Sequence, residues 1–272
     1  MKLKEILVGI EGLKVKGDLD LEITNLDKDS RNIKENGLFV AIKGFDTDGH
    51  EYVDTAINSG AKAVILEEGV TAEFVKKIPA NVTIVVAKDT RYALAICSCN
   101  FYKNPSRKFK LIGITGTKGK TTTSFMTKAI LEKAGMKVGL IGTIATYIGD
   151  KKLEDSDRTT PESNKLQSIF AQMAEEGCQA VVMEVSSQSL KLHRVAGCDF
   201  DIGVFTNFSE DHISPKEHPN MQDYFESKVQ LFKMCKTAFI NADDFYVTKL
   251  PKLVPECDIT TYGIDIYCIV LA

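Results

Sequence analysis

The chain has 272 residues, 34 of them Lys or Arg and 37 Asp or Glu, for a formal net charge of −3, and 44% are apolar. That length accommodates two domains, each with its own core, and the composition is that of a soluble globular protein. Near-balanced charge argues against nucleic-acid binding, and no run approaches the roughly 18 apolar residues of a membrane span. The opening MKLKEILVGIEGLKVKGD carries an apolar run too short for a signal peptide, so a cytoplasmic protein without membrane contact is expected. The seven cysteines, at 97, 99, 178, 198, 235, 257 and 268, are odd in number and lack zinc-site spacing. They are expected to be reduced thiols.

Residues 38–42, 63–66 and 82–87 are short apolar runs that predict strands, with helices over 52–59 and 91–102 between and after them. Asn104-Pro105-Ser106 marks a domain boundary, because the residue before a proline is driven out of the helical region. Beyond it the pattern becomes strand, loop, helix: a strand over 111–115, a helix over 121–134 and a strand over 138–144. Thr160-Pro161-Glu162 predicts the next helix start, with Thr160 as N-cap and Pro161 at the first position. Continuous apolar runs at 180–185 and 202–206 suit buried parallel strands; a helix over 222–235 and a strand over 238–240 are the last clear elements. This alternation predicts an α/β fold whose second domain is doubly wound, with ligands at the strand C-termini.

The strongest local signal is GITGTKGKTTT, Gly113 to Thr123, between a strand and a helix. It is a variant P-loop, because Ile114 stands where the first glycine of GxxxxGK[ST] belongs. Glycines let backbone N–H groups curl around a phosphate, and the helix start adds its positive end. Lys120 can reach terminal phosphates and the Thr121 hydroxyl can ligate Mg²⁺.

Glu184 ends the apolar run AVVME and is a candidate Mg²⁺ partner of the loop. Asp211-His212 follows the strand ending at Thr206-Asn207, where His212 is either a metal ligand or an ordinary surface residue. Lys228 lies within the apolar face that Phe225, Val229, Phe232 and Cys235 mark on its helix. It either snorkels its ammonium to water or is buried with a lowered pKa, as a neutral amine available for chemistry.

Together GITGTKGKTTT, RTTPES (158–163), MEVSSQSLKLHRV (183–195), DIGVFTNFSEDH (201–212) and DYFESK (223–228) resemble the Mur ligases, ATP-dependent amide-bond-forming enzymes of peptidoglycan synthesis. The resemblance is to their tripeptide-synthetase (MurE-type) branch, and KDSRNIKENGLFVAIKGFDTDGHEYV (28–53) is similar to that branch's uridine-binding domain.

The resemblance implies a UDP-sugar-binding domain over 1–107, a central P-loop domain over 108–265 and an atypical tail over 266–272. Gly116, Thr117, Lys118, Gly119, Lys120, Thr121 and Thr122 would bind ATP. Thr121 and Glu184 would hold one Mg²⁺, and His212 with Lys228, carbamylated by CO₂, a second. Lys120, Lys228 and His212 would be the catalytic residues. Lys28, Ser30, Phe45, Asp46 and Thr47 align with contacts to UDP, and Thr159, Thr160, Ser186 and Arg194 with contacts to the muramoyl-dipeptide. Leu192 stands where some members carry a substrate-binding Gln. The implied substrates are UDP-N-acetylmuramoyl-L-Ala-D-Glu and a diamino acid, joined by a monomer through an acyl phosphate. Family members continue past a segment like ITTYGID, whereas this sequence ends IYCIVLA, so a truncated form of weak or no activity is expected. The alternatives are a folylpolyglutamate-synthetase-like ligase, which lacks the uridine domain, and a non-catalytic nucleotide- and UDP-sugar-binding fragment.

Overall fold

A computed structural model describes residues 1–215 and 217–264, and the backbone of 270–271. The tail expected at 266–272, with Cys268, therefore lies outside the described residues apart from that backbone pair. The chain divides into two compact units, Met1–Lys103 and Asn104–Ala272.

The first unit runs α1 (Leu3–Ile6), β1 (Lys14–Lys16), β2 (Asn25–Asp27), β3 (Gly37–Val40), α2 (Val53–Asn58), β4 (Ala61–Glu67), α3 (Ala72–Lys77), β5 (Thr83–Ala87) and α4 (Thr90–Phe101). Its sheet has the order β1-β5-β4-β3-β2, with β2 to β5 parallel and β1 antiparallel at the edge. One face packs Leu38, Val40, Ile65 and Val85 with α1 and α4; the other packs Phe39, Val64 and Ile84 with α2. α4 is started by Asp89, which accepts from the Tyr92 N–H, and stops before Lys103 and Asn104, both at positive φ ahead of Pro105.

The second unit runs β6 (Lys110–Thr115), α5 (Lys120–Lys133), β7 (Val138–Ile141), β8 (Ala145–Ile148), β9 (Lys151–Asp155), α6 (Ser163–Glu175), β10 (Ala180–Glu184), α7 (Ser187–Lys191), β11 (Phe200–Phe205), α8 (Met221–Phe232), β12 (Cys235–Asn241), α9 (Leu250–Leu253), β13 (Asp258–Gly263) and β14 (Val270–Leu271). Its sheet has the order β14-β13-β12-β11-β6-β10-β7-β8-β9, parallel except for the β7-β8-β9 meander. α6 and α8 supply Phe170, Met173 and Phe232 to one face, and α5 lays Phe125 and Leu131 on the other. The fold is thus mixed α/β with a doubly wound second unit, and β6 at its centre ends in the glycine loop.

Several elements differ from the sequence expectations. α6 begins at Ser163, with Glu162 as its N-cap position rather than Thr160. The Thr160 hydroxyl is instead committed to β10: it donates to Glu184 O (2.9 Å) and accepts from Ser186 N (3.1 Å). β7 stops at Ile141 because the chain turns at Gly142 so that Thr143 can reach Glu184. The antiparallel β8-β9 pair, and β13 between β12 and β14, are elements to which the apolar pattern does not extend. None of the six described cysteines forms a disulfide, and no described helix is long and apolar enough to cross a membrane.

Candidate functional site

The loop between β6 and α5 is held open by two glycines at positive φ, Gly116 (149°) and Gly119 (82°). A Cβ on Gly116 would fall 1.9 Å from Thr206 Oγ1, so only glycine lets the loop lie against the end of β11. Thr206 Oγ1 in turn donates to Lys118 O (2.8 Å). Asn207 continues the clamp, its backbone O accepting from Thr117 N and its Oδ1 from Lys118 N, both at 2.9 Å.

Of the loop residues expected to meet a nucleotide, Thr117 and Lys118 have therefore committed their N–H groups to Asn207. The Thr117 hydroxyl bonds Ser209, and the Lys118 ammonium pairs with Asp211 at 2.8 Å. The helix start at Lys120, Thr121 and Thr122 retains the first-turn N–H groups that helix geometry leaves without intrahelical acceptors. The Lys120 ammonium folds back onto Gly116 O (2.9 Å) and Thr117 O (3.1 Å). Burial lowers its pKa, while the Glu184 carboxylate opposes that shift.

Glu184 is fully buried at the end of β10. One carboxylate oxygen accepts from the Thr121 hydroxyl (2.9 Å) and the Thr143 hydroxyl (3.0 Å), the other from Thr143 N (3.1 Å). A hydroxyl beside a carboxylate oxygen is a donor set of the hard kind that Mg²⁺ takes, so the residues fit one such ion. Among the described residues, no three His, Cys, Asp or Glu side chains lie close enough to hold a metal unaided.

Lys228 does not snorkel. Only 1% exposed, it runs from α8 beneath the loop and donates to Gly116 O (2.9 Å), with its Nζ 4.5 Å from the Tyr224 ring centroid. The side-chain nitrogens of Lys120 and Lys228 thus converge on one carbonyl oxygen. Burial, and next the Lys120 charge, push the Lys228 pKa well below its ordinary value, which favours the neutral amine. His212 sits in a left-handed conformation (φ 56°) with Nδ1 3.2 Å from Glu217 Oε1.

Lys120, Lys228, His212, Thr159, Ser186 and Arg194 line one cavity of about 220 Å³, together with Arg158, Ser187, Gln188 and Glu217. Thr160 lies behind that wall, its carbonyl accepting from Arg194 (3.3 Å). The Arg194 guanidinium also meets Glu162 at 3.1 Å, where Arg158 arrives at 2.6 Å. Ser186 caps α7, accepting from Ser189 N, and Thr159 shares a hydroxyl contact with Thr143 at 3.1 Å.

The expected uridine contacts all belong to the first unit. Lys28 and Ser30 follow β2, and Phe45, Asp46 and Thr47 follow β3, so the two loops emerge from the same ends of neighbouring parallel strands. Ser30 is buried, Lys28 half-buried and Phe45 60% exposed, the last on a turn closed by Gly44 N to Thr47 O (2.8 Å). His50 fastens that loop, paired with Asp48 at 2.6 Å and accepting from Glu67 N at 3.0 Å.

Four further residues shape the central site without having been singled out from sequence: Thr143, Asn207, His218 and Tyr224. Each acts through a contact distant along the chain, such as Tyr224 OH to Thr117 Oγ1 (3.3 Å). His218 stands just ahead of the Pro219-Asn220 helix start, and that neighbourhood does not signal its contacts.

A family model described as the Mur ligase middle domain matches residues 114–267, and one described as Mur ligase family, catalytic domain, matches residues 22–102. The first alone spans more than half of the sequence, and the chain belongs to the Mur ligase family. A Clostridium acetobutylicum protein named UDP-N-acetylmuramoyl-L-alanyl-D-glutamate--2,6-diaminopimelate ligase 1 is 48% identical over 264 residues, covering 97% of this chain and 53% of that protein. The Clostridium tetani ligase named for the same reaction is 45% identical over 267 residues, covering 98% and 54%. A solved structure titled for a ligase of that name superposes with a TM-score of 0.78 at 25% identity, covering 98% of this chain and 53% of the other. The chain thus spans about half the length of the curated relatives it matches.

Proposed function

We propose that this chain carries the nucleotide- and acid-substrate-binding parts of an ATP-dependent ligase, which adds a diamino acid to UDP-N-acetylmuramoyl-L-Ala-D-Glu in peptidoglycan synthesis. The relatives' names, which specify 2,6-diaminopimelate, support that compound as the diamino acid. Residues 1–107 would hold the UDP portion through Lys28, Ser30 and the Phe45-Asp46-Thr47 turn. Residues 108–265 would hold ATP and the muramoyl-dipeptide.

The observation that carries this reading is the joint placement of Lys120, Thr121 and Glu184 at the loop, with the buried Lys228 on Gly116 O. Lys120 leaves its two carbonyls for the terminal phosphates, and the N–H groups of Lys120 to Thr122 receive phosphate oxygens. Thr121 and Glu184 would hold a Mg²⁺ ion. Lys228, as a neutral amine, adds CO₂ and releases a proton, becoming a carbamate that with His212 can hold a second. Bound Mg²⁺ neutralises charge on the phosphates, which is most of what phosphoryl transfer needs. Arg194, Ser186 and Thr159 would orient the D-Glu carboxylate for attack on the γ-phosphate, which releases ADP and leaves an acyl phosphate; the amine of the diamino acid then attacks the acyl carbon, loses a proton and displaces inorganic phosphate.

The test is calorimetric titration of the chain with UDP-N-acetylmuramoyl-L-Ala-D-Glu and separately with Mg-ATP. Saturable binding of both is expected; absence of saturation with both overturns the reading.

A further inference from the structure

Behind the α7 wall of the cavity lies a chain of three side chains that the reaction scheme does not use. His218, fully buried, has Nδ1 2.6 Å from Asp223 Oδ2 and Nε2 2.9 Å from Ser187 Oγ. Asp223, on the first turn of α8, also receives Lys191 of α7 at 2.7 Å. Ser187 opens α7 and lines the cavity.

The proton positions follow from the partners. Burial works to raise the Asp223 pKa, but hydrogen bonds from Lys191 and His218 outweigh it and hold the carboxyl below its ordinary value. An ionised carboxylate only accepts, so Nδ1 carries a proton. Burial pushes the imidazole pKa down against the pull of Asp223, which favours the neutral ring, whose Nε2 is then a bare acceptor. The Ser187 hydroxyl must donate to it, which leaves the oxygen of this cavity-lining residue as an acceptor.

That matters because the cavity's cations, Lys120, Arg158 and Arg194, are donors without acceptor capacity. They suit carboxylates and phosphates. A peptidyl substrate also brings amide N–H groups, which none of those three can receive.

We propose that His218 is a positioning residue that fixes Ser187 as a hydrogen-bond acceptor for an amide N–H of the dipeptide. This rests on the proposed acid substrate and adds to it the group that reads the peptide rather than its charge.

The test compares two ligands, UDP-N-acetylmuramoyl-L-Ala-D-Glu and UDP-N-acetylmuramic acid, on the unsubstituted chain and on Ser187→Ala, His218→Asn and His218→Gln. Asn keeps a donor for Asp223 but cannot reach Ser187, whereas Gln can present an acceptor to it. The expected result is about three- to tenfold weaker binding of the dipeptide ligand by Ser187→Ala and His218→Asn, the range of a single neutral hydrogen bond. His218→Gln should recover part of the loss, and the ligand lacking the dipeptide should bind all four alike. A merely structural role would move both ligands together, and that result overturns the inference. So does equal dipeptide-ligand binding by Ser187→Ala. If the His218 variants do not fold, ¹⁵N spectra of the imidazole in the unsubstituted chain decide: a proton on Nδ1 and a bare Nε2 support the assignment, and a proton on Nε2 overturns it. If the unsubstituted chain binds neither ligand, the proposed function falls and this inference with it. Binding of both with no variant effect removes the inference alone.

Discussion

Gly116→Ala tests whether the loop geometry is a requirement of packing. A methyl at this position would meet Thr206 Oγ1 at 1.9 Å and the Asn207 backbone at 3.1 and 3.2 Å, and its φ of 149° is one that side-chain-bearing residues rarely adopt. The backbone conformation costs about 1–3 kcal/mol. Moving Thr206 aside sacrifices the one bond its hydroxyl proton makes, to Lys118 O, at about 1 kcal/mol. The sum is about 2–4 kcal/mol, which in a unit of this size lowers Tm by roughly 5–15 °C. Thermal melts monitored by circular dichroism, paired with Mg-ATP titration, give both readouts. The double variant Gly116→Ala/Thr206→Ala removes the worst contact and should show a coupling of about 1 kcal/mol or more, since the two residues touch. A Gly116→Ala chain melting within about 2 °C of the unsubstituted one (well under the roughly 5–15 °C above), with unchanged nucleotide affinity, would refute the packing argument.

Gly142→Ala places a Cβ 2.3 Å from Glu184 Oε1, and the carboxylate can swing away. Mg-ATP affinity should therefore fall several-fold, and Tm should fall too because the displaced carboxylate loses its bonds from Thr121 and Thr143; an unchanged affinity would detach Glu184 from the ion. With ¹³C-labelled bicarbonate the chain should show a carbamate carbon resonance that Lys228→Met lacks; if the two spectra match, Lys228 remains an amine. His218 makes stability depend on pH, because its folded pKa lies below the ordinary 6.5. Above that value both states are neutral and nothing is contributed. As pH falls below it the unfolded chain takes up the proton first, so stability declines until the folded pKa is passed and then levels off. His218→Gln should flatten this segment of a Tm-against-pH curve, and identical slopes for the two chains would show that another group is responsible.

The parts of the site carried by local pattern were legible in the sequence. An apolar run, two glycines, a Lys and a Thr at a helix start mark the glycine loop proposed to take phosphates, and Glu184 stands out as the acid ending a second apolar run. What the pattern could not decide depends on contacts far along the chain. The position of Lys228 on an apolar helix face is equally compatible with snorkelling; its burial is decided by Gly116, 112 residues away. Thr160 has the composition of an N-cap, yet its hydroxyl is claimed by Glu184 O and Ser186 N, so α6 starts later. The three-residue strands β1 and β2 and the five-residue helix α7 are too short to generate a period, and β9, with the sequence KKLED, has no buried face. Thr143 and His218 carry no local mark of their roles, because each becomes meaningful only when β10 or α7 is laid beside it.

In the proposed function, Lys120 and the start of α5 receive the phosphates of Mg-ATP. Titration calorimetry of Mg-ATP into the 272-residue chain and into Lys120→Ala tests it most directly. A single saturable site is predicted, strengthened by Mg²⁺, with at least tenfold weaker binding in the variant, as loss of a charge-assisted hydrogen bond worth about 1.5–3 kcal/mol requires. Equal affinity in the two chains, or binding indifferent to Mg²⁺, would contradict it.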